Sequence, residues 1–211
     1  MKLYEAVRSS ASFRVRIALN WKGIAYESQV LDLRAGEHRR PEYARINPQQ
    51  AVPTLVDGGR TLVQSMAIVE YLDETHPEPP LLPRTPTERA RVRAMAQLVA
   101  CEMHPLNNLR VLDYLERELR TGDEARDRWY RRWVEEGFAR LEPMLAQRET
   151  GTFCHGDAPT IADVFLVPQV VNAHRFKVDI SAYPRLVRIY DACMKLPAFD
   201  RAHPAKHPAA G

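Results

Sequence analysis

Arg8-Ser9-Ser10-Ala11-Ser12-Phe13-Arg14-Val15-Arg16 follows the short apolar pair Leu3-Tyr4, and no other stretch constrains the fold so tightly. Three hydroxyls and three guanidiniums fall within nine residues, where a strand hands over to a helix. Val15, Ala18, Leu19 and Trp21 recur at amphipathic spacing, so a helix runs from Ala11 to Trp21. Serine at a helix start accepts a hydrogen bond from a free backbone N–H. The same N-terminus favours an anion, through its unpaired amides and the positive end of its dipole. A thiolate is such an anion, and these surroundings lower a thiol from its ordinary pKa of about 8.5. No cysteine lies in the segment, so a thiol held there belongs to a ligand. The plain alternative is a capped helix with a solvated basic face.

Lys2–Ala6 and Tyr26–Leu31 read as strands around that helix, a βαβ unit with parallel strands. A short helix, Pro41–Ile46, ends at Asn47-Pro48. Thr54-Leu55-Val56 and Thr61-Leu62-Val63 flank Asp57-Gly58-Gly59 as a hairpin. Ser65 is expected to cap a helix with Ile68, Val69 and Leu72 on its apolar face. Prolines crowd residues 77–86, and nearly everything beyond reads helical. The helical stretches are Thr87–Arg120 with a break near His104-Pro105, then Asp123–Gln147, Thr160–Ala173, Tyr183–Met194 and a short piece at Pro197–Arg201. Thr160-x-x-Asp163 is a capping-box variant with a structural role. The tail from His203 carries no core-forming residues and is expected to be loose. The expected organisation is an α/β thioredoxin-like domain over 1–76, a linker over 77–86 and an all-α domain over 87–211.

Thirty basic against 27 acidic residues leave a net charge of +3, which argues against nucleic acid as a partner. No apolar run approaches the roughly 18 residues of a membrane span, and the first residues lack the apolar stretch of a signal peptide. Cys101, Cys154 and Cys193 form neither a disulfide framework nor a CxxC pair, so a cytoplasmic protein with reduced thiols is expected. Four of seven histidines, His76, His104, His203 and His207, precede proline, and their spacing fits no metal template. Glycine-rich nucleotide-binding motifs are absent.

Two further segments bear on the ligand. In Gln50-Ala51-Val52-Pro53-Thr54-Leu55 the proline at a strand entry cannot donate to the ladder. If the Val52-Pro53 bond is cis, the Val52 N–H and C=O are left to pair, strand-like, with a peptide ligand. At Gln64-Ser65 the serine hydroxyl and the helix amides suit a carboxylate, with Gln64 beside it, and a plain cap is the simpler alternative. A tripeptide with one thiol and two carboxylates would engage all three segments.

Ser9-Ser10-Ala11-Ser12-Phe13-Arg14-Val15-Arg16-Ile17-Ala18-Leu19 resembles the signature of zeta-class glutathione transferases, the maleylacetoacetate isomerases. The resemblance continues through Asn47-Pro48, Val52-Pro53, Gln64-Ser65, Pro105-Leu106-Asn107-Asn108-Leu109, Gly156-Asp157, Thr160-Ile161-Ala162-Asp163, Val167-Pro168-Gln169-Val170 and Arg175-Phe176-Lys177-Val178-Asp179. Bacterial glutathione-dependent maleylpyruvate isomerases share it. It implies that Ser9 stabilises the glutathione thiolate with Ser10 assisting, that Val52 pairs with the cysteinyl backbone, and that Gln64 and Ser65 hold the γ-glutamyl end. His38 then lies toward the glycine end, and His104 and Asn108 line the glutathione site from the helical domain. Animal members carry a cysteine where this chain has Ala11, so any activity that needs that thiol is not expected.

The implied reaction is reversible addition of a thiolate to a cis double bond conjugated to a carbonyl, rotation, and thiolate loss. It requires no metal. The protein must hold a small dicarboxylate and stabilise an enolate oxygen, tasks suited to the planar guanidinium of arginine. Arg8 and Arg175 match substrate-facing positions of the family. Arg110 matches an arginine of the maleylpyruvate group, with a surface ion pair as its bland alternative. Arg14 and Arg16 are expected in interdomain or surface pairs. The resemblance further implies a homodimer. A general conjugating or dehalogenating glutathione transferase and a non-catalytic glutathione-binding protein are the competing readings, and the choice between maleylacetoacetate and maleylpyruvate stays open.

Overall fold

The computed structural model describes residues 1–209. The chain divides into two compact units, one of residues 1–80 with 194–209, the other of residues 81–193.

In the first unit β1 (Lys2–Glu5), α1 (Ser10–Trp21) and β2 (Glu27–Val30) form the expected βαβ arrangement. α2 (Pro41–Ile46), the hairpin β3 (Thr54–Asp57) and β4 (Arg60–Val63), and α3 (Ser65–Thr75) follow. The sheet order is β2-β1-β3-β4, with β1 and β2 parallel and β3 antiparallel to both β1 and β4. Gly58 and Gly59 turn the hairpin at φ 53° and 82°, backbone that side chains avoid. Leu3 and Leu55 face each other in register and are fully buried. Phe13, Val15, Ile17 and Leu19 of α1 and Ile68, Val69 and Leu72 of α3 complete this core. Removing one such side chain costs about 2–5 kcal/mol.

α1 is buried on almost every side, from Ser12 through Leu19 without a break. A helix so enclosed has no solvated stripe for its cations. Arg14 and Arg16 are therefore buried, each 2% exposed, and of the expected surface or interdomain pairs the surface alternative fails for both. Arg14 donates to Ser65 and Arg16 pairs with Glu5, all within this unit.

The tail also departs from expectation. α9 (Pro197–Ala202) packs on α1, where Asn20 donates to the Ala198 carbonyl at 3.2 Å. His207 is buried and lies 3.3 Å from Glu5. Residues 194–209 thus belong with the first unit, not with a helical domain over 87–211. α9 docks through the fully buried Phe199 with Ala198 and Ala202, and beyond it the chain docks by polar contacts to a buried ion pair, which hydrophobic patterning does not register. Residues 210 and 211 of the expected loose tail lie outside the described residues.

In the second unit α4 (Pro86–Gln97) starts at a capping box, Thr85 accepting from the Glu88 N–H and Glu88 from the Thr85 N–H, both at 3.3 Å. A π-helical turn, Leu98–Met103, follows directly, so the expected break opens earlier than His104-Pro105. α5 (Leu109–Arg117), α6 (Gly122–Met144), α7 (Ile161–Arg175) and α8 (Pro184–Met194) complete the helices. A Cβ on Gly137 of α6 would overlap the Met103 side chain, so glycine there admits the π turn. Asp163 is fully buried and accepts from the Thr160 N–H, the Thr160 hydroxyl and the Cys154 N–H, each at 2.8 Å.

Candidate functional site

Ser9 is the N-cap of α1, in extended backbone (φ −72°, ψ 120°), and its Oγ accepts from the Ser12 N–H at 3.2 Å. Accepting there leaves the hydroxyl proton to donate outward. Ser10 opens the helix and is buried, whereas Arg8 on the preceding turn is exposed. Ser12, fully buried, accepts from the Ala6 N–H at 3.3 Å, and the Ser9 N–H bonds the Ala6 carbonyl at 3.0 Å. The result is a fixed turn at a helix start, where an outward hydroxyl proton and the positive end of the dipole suit an anion.

Register brings the other segments to the same end of the sheet. Thr54 pairs with Tyr4 on one side and Val63 on the other, so Val52 lies alongside the Ala6 turn and the Gln64-Ser65 step. The Val52-Pro53 bond is cis. Among the described residues the Val52 N–H and C=O join no backbone hydrogen bond, which leaves both for an extended ligand. Ala51 is anchored from behind: its carbonyl accepts from Tyr43 Oη at 2.6 Å and Asn47 Nδ2 at 2.9 Å. Burial raises the Tyr43 pKa above its ordinary value, keeping that donor protonated.

Gln64, not Ser65, is the N-cap of α3, and it carries φ 70°. A non-glycine residue held there is strained and typical of functional positions. Its amide donates to Gln49 Oε1 at 2.9 Å. Ser65 is the first helical residue, buried, and its Oγ accepts from Arg14 Nη1 at 3.2 Å. A guanidinium behind that hydroxyl turns the serine proton outward and adds positive charge to a helix start, which suits a carboxylate. Arg14 escaped the sequence reading; its signal was an arginine on a helix with no polar face. His38 sits half-buried in the 3₁₀ turn Glu37–Arg39.

In the second unit Asn108 caps α5, its Oδ1 accepting from the Arg110 N–H at 3.2 Å, and its Nδ2 lies 3.4 Å from His104 Nε2. His104, Asn108 and Arg110 thus share one turn, with Arg110 exposed. Asn107 Nδ2 donates to the Tyr130 carbonyl at 3.3 Å, and Trp129 Nε1 to the Leu106 carbonyl at 2.8 Å. The Tyr130 ring stacks on Phe176 at 3.6 Å, and the exposed Arg175 guanidinium lies 5.4 Å over that ring. One α6 segment therefore anchors both the His104–Arg110 turn and the base of Arg175.

The two buried thiols of the chain are poor nucleophiles. Burial, and then the Asp163 carboxylate, push Cys154 and Cys193 well above the ordinary thiol range. Cys101 is exposed and lies in the π turn, in the other unit from Ser9.

Comparison with known proteins identifies the family. The profile for the glutathione S-transferase N-terminal domain matches residues 1–74, and that for the glutathione S-transferase C-terminal domain matches residues 123–192. The chain belongs to the glutathione S-transferase family. A probable maleylacetoacetate isomerase of Vibrio cholerae is 47% identical over 210 residues, spanning 99% of this chain and 97% of that protein. A maleylpyruvate isomerase of Ralstonia is 45% identical, spanning 99% of each. The solved structure of a maleylpyruvate isomerase, a bacterial zeta-class glutathione transferase, superposes with a TM-score of 0.98 at 44% identity over the whole of both chains. A maleylacetoacetate isomerase from Methylobacterium extorquens, solved with malonate and glutathione bound, superposes at 0.97 with 45% identity, again over the whole of both chains. Within the transferase family the chain falls in the zeta class.

Proposed function

We propose that the protein is a glutathione-dependent cis–trans isomerase acting on maleylacetoacetate or maleylpyruvate. One observation carries the reading: the Ser9 hydroxyl caps the start of α1 with its proton left to donate, in a chain whose own buried thiols are held protonated. The residues present fit glutathione. Ser9 and the α1 amides suit its thiolate, the open Val52 N–H and C=O its cysteinyl backbone, and Ser65 backed by Arg14 its γ-glutamyl carboxylate. Gln64 and Ser10 assist, with His38, His104 and Asn108 completing the glutathione set. When bound, glutathione supplies the thiolate that adds reversibly to a conjugated double bond.

The chain's residues do the rest. Ser9 donates to the thiol sulfur and holds it ionised at neutral pH. Arg8, Arg110 and Arg175 are exposed guanidiniums suited to the carboxylates of a small diacid, and Arg8, beside Ser9, to charge developing on the carbonyl oxygen. These cations favour small acids over large apolar electrophiles, which need an apolar wall.

Turnover of maleylpyruvate and of maleylacetoacetate, each with and without glutathione, tests the proposal. The expected result is isomerisation only with glutathione, and the ratio of kcat/KM names the preferred substrate. Glutathione binding without turnover of either would overturn it in favour of a binding protein. Conjugation of unrelated electrophiles alone would favour a general transferase. We also read the protein as a cytoplasmic homodimer, which sedimentation of the purified chain and fractionation of its source cells test.

A further inference from the structure

We infer that the C-terminal segment 197–207 is a positioning element for the Ser9 turn, acting through the buried Glu5–Arg16 pair. The inference rests on the role of Ser9 proposed above. Glu5, at the end of β1, is fully buried and takes three partners: Arg16 Nη1 at 2.5 Å, Ser28 Oγ at 2.7 Å and His207 Nε2 at 3.3 Å. The same guanidinium donates from Nε to the Ala202 carbonyl at 3.0 Å and from Nη2 to the Val7 carbonyl at 3.1 Å. A guanidinium is planar and rigid, so fixing two of its nitrogens aims the third. Ala202 and Glu5 fix two; the third holds Val7, two residues before Ser9.

His207 is built for its part. Its Nδ1 accepts from the Ala209 N–H at 3.1 Å, so the neutral ring carries its proton on Nε2, facing Glu5. His203 meets the Phe13 ring edge-on at 5.9 Å, and the Arg16 guanidinium lies 5.4 Å over the same ring. The tail thus holds the pair at two polar points, the Ala202 carbonyl and the His207 ring, and lies against Phe13 at a third. Without His207, a buried carboxylate loses one donor and its cover, and the cheapest relief is for Arg16 to turn further toward Glu5 and away from Val7. The Ser9 hydroxyl then shifts relative to the thiol. Displacements of this kind, made far from the reacting atoms, cost up to about 100-fold in rate.

The test follows the ultraviolet thiolate band of bound glutathione against pH, with steady-state kinetics, in the full-length chain. His207→Ala is expected to raise the apparent thiol pKa and lower kcat about tenfold, while the Kd of S-methylglutathione and the KM of the diacid stay within about twofold. His207→Gln, which keeps a donor, should restore most of both. Arg16→Lys keeps the charge against Glu5 but loses the planar fork, and should show the same raised thiol pKa even if His207→Ala does not fold. Lowered Tm with unchanged thiol titration and kcat in these variants overturns the inference. Ser9→Ala separates the two readings. If it shifts the thiol while His207→Ala and Arg16→Lys do not, only the tail's role falls; if it too leaves the thiol unshifted, the Ser9 reading falls and takes this one with it.

Discussion

Arg14 on α1 and Ser65 at the start of α3 meet at 3.2 Å with both side chains shut away from solvent. The arginine ties α1 to α3, and it leaves the serine hydroxyl proton pointing outward. Arg14→Met keeps the length and removes the charge. A hydrogen bond to a charged group is worth about 1.5–3 kcal/mol, so glutathione affinity should fall about 10- to 100-fold. Calorimetric titration with S-methylglutathione measures it, and an unchanged Kd would reduce Arg14 to packing.

Ser9→Ala removes an N-cap and, on the proposed reading, a donor to the thiol. Loss of the cap costs about 1 kcal/mol of stability. Turnover should fall much further, about 100-fold, since a positioned donor at developing charge is worth that much. Urea melts and kcat on one preparation separate the two effects; a rate loss no larger than the stability loss would remove Ser9 from the chemistry.

Much of this is legible in the sequence. Ser9, Val52 and Gln64-Ser65 stand at turns, and turns announce themselves through serine, proline and broken periodicity. The βαβ order and the Asp-Gly-Gly hairpin then place all three at one end of a sheet. What stayed hidden was carried by burial. Arg14 and Arg16 sit one helical position either side of Val15, and in a helix enclosed on all sides that spacing says nothing about solvent. Ser65 reads as a cap because serine commonly is one, yet Gln64 takes the cap position in left-handed backbone. His207 is not legible because patterning registers apolar side chains, and this residue docks by hydrogen bonds.

Asp163 holds the start of α7 and the Cys154 loop through three hydrogen bonds while fully buried. Asp163→Ala should cost about 3 kcal/mol or more, because three buried donors lose their acceptor together. Denaturant unfolding measures it, and glutathione affinity per folded molecule should hold.

Arg110→Ala and Arg175→Ala each delete an exposed cation, one on the turn with Asn108 and the other over Phe176. The expected result is a KM for the diacid raised about tenfold by either, with the KM for glutathione nearly unchanged. A flat response at Arg110 would return it to an ordinary surface charge.

His203 gives stability an acid limb. Burial pushes its pKa below the ordinary value of 6.5, chiefly by disfavouring the charged ring. The folded chain binds this proton more weakly than the unfolded one, so the contribution is fully present above 6.5 and is lost as pH falls through the depressed value. Between neutral pH and about pH 5, His203→Phe should lose less Tm than the parent chain. Equal losses would assign the acid limb to other groups.

The docking of residues 197–207 on α1 and Glu5 also sets an order of events during synthesis. The N-terminal unit leaves the ribosome first, yet its Glu5–Arg16 pair has no cover until more than a hundred further residues have been made. A nascent chain carries that uncovered ion pair throughout translation of the helical unit, and completes the first unit only after the second has been made. Fusions or deletions near residue 207 therefore act on the oldest part of the chain, not the newest.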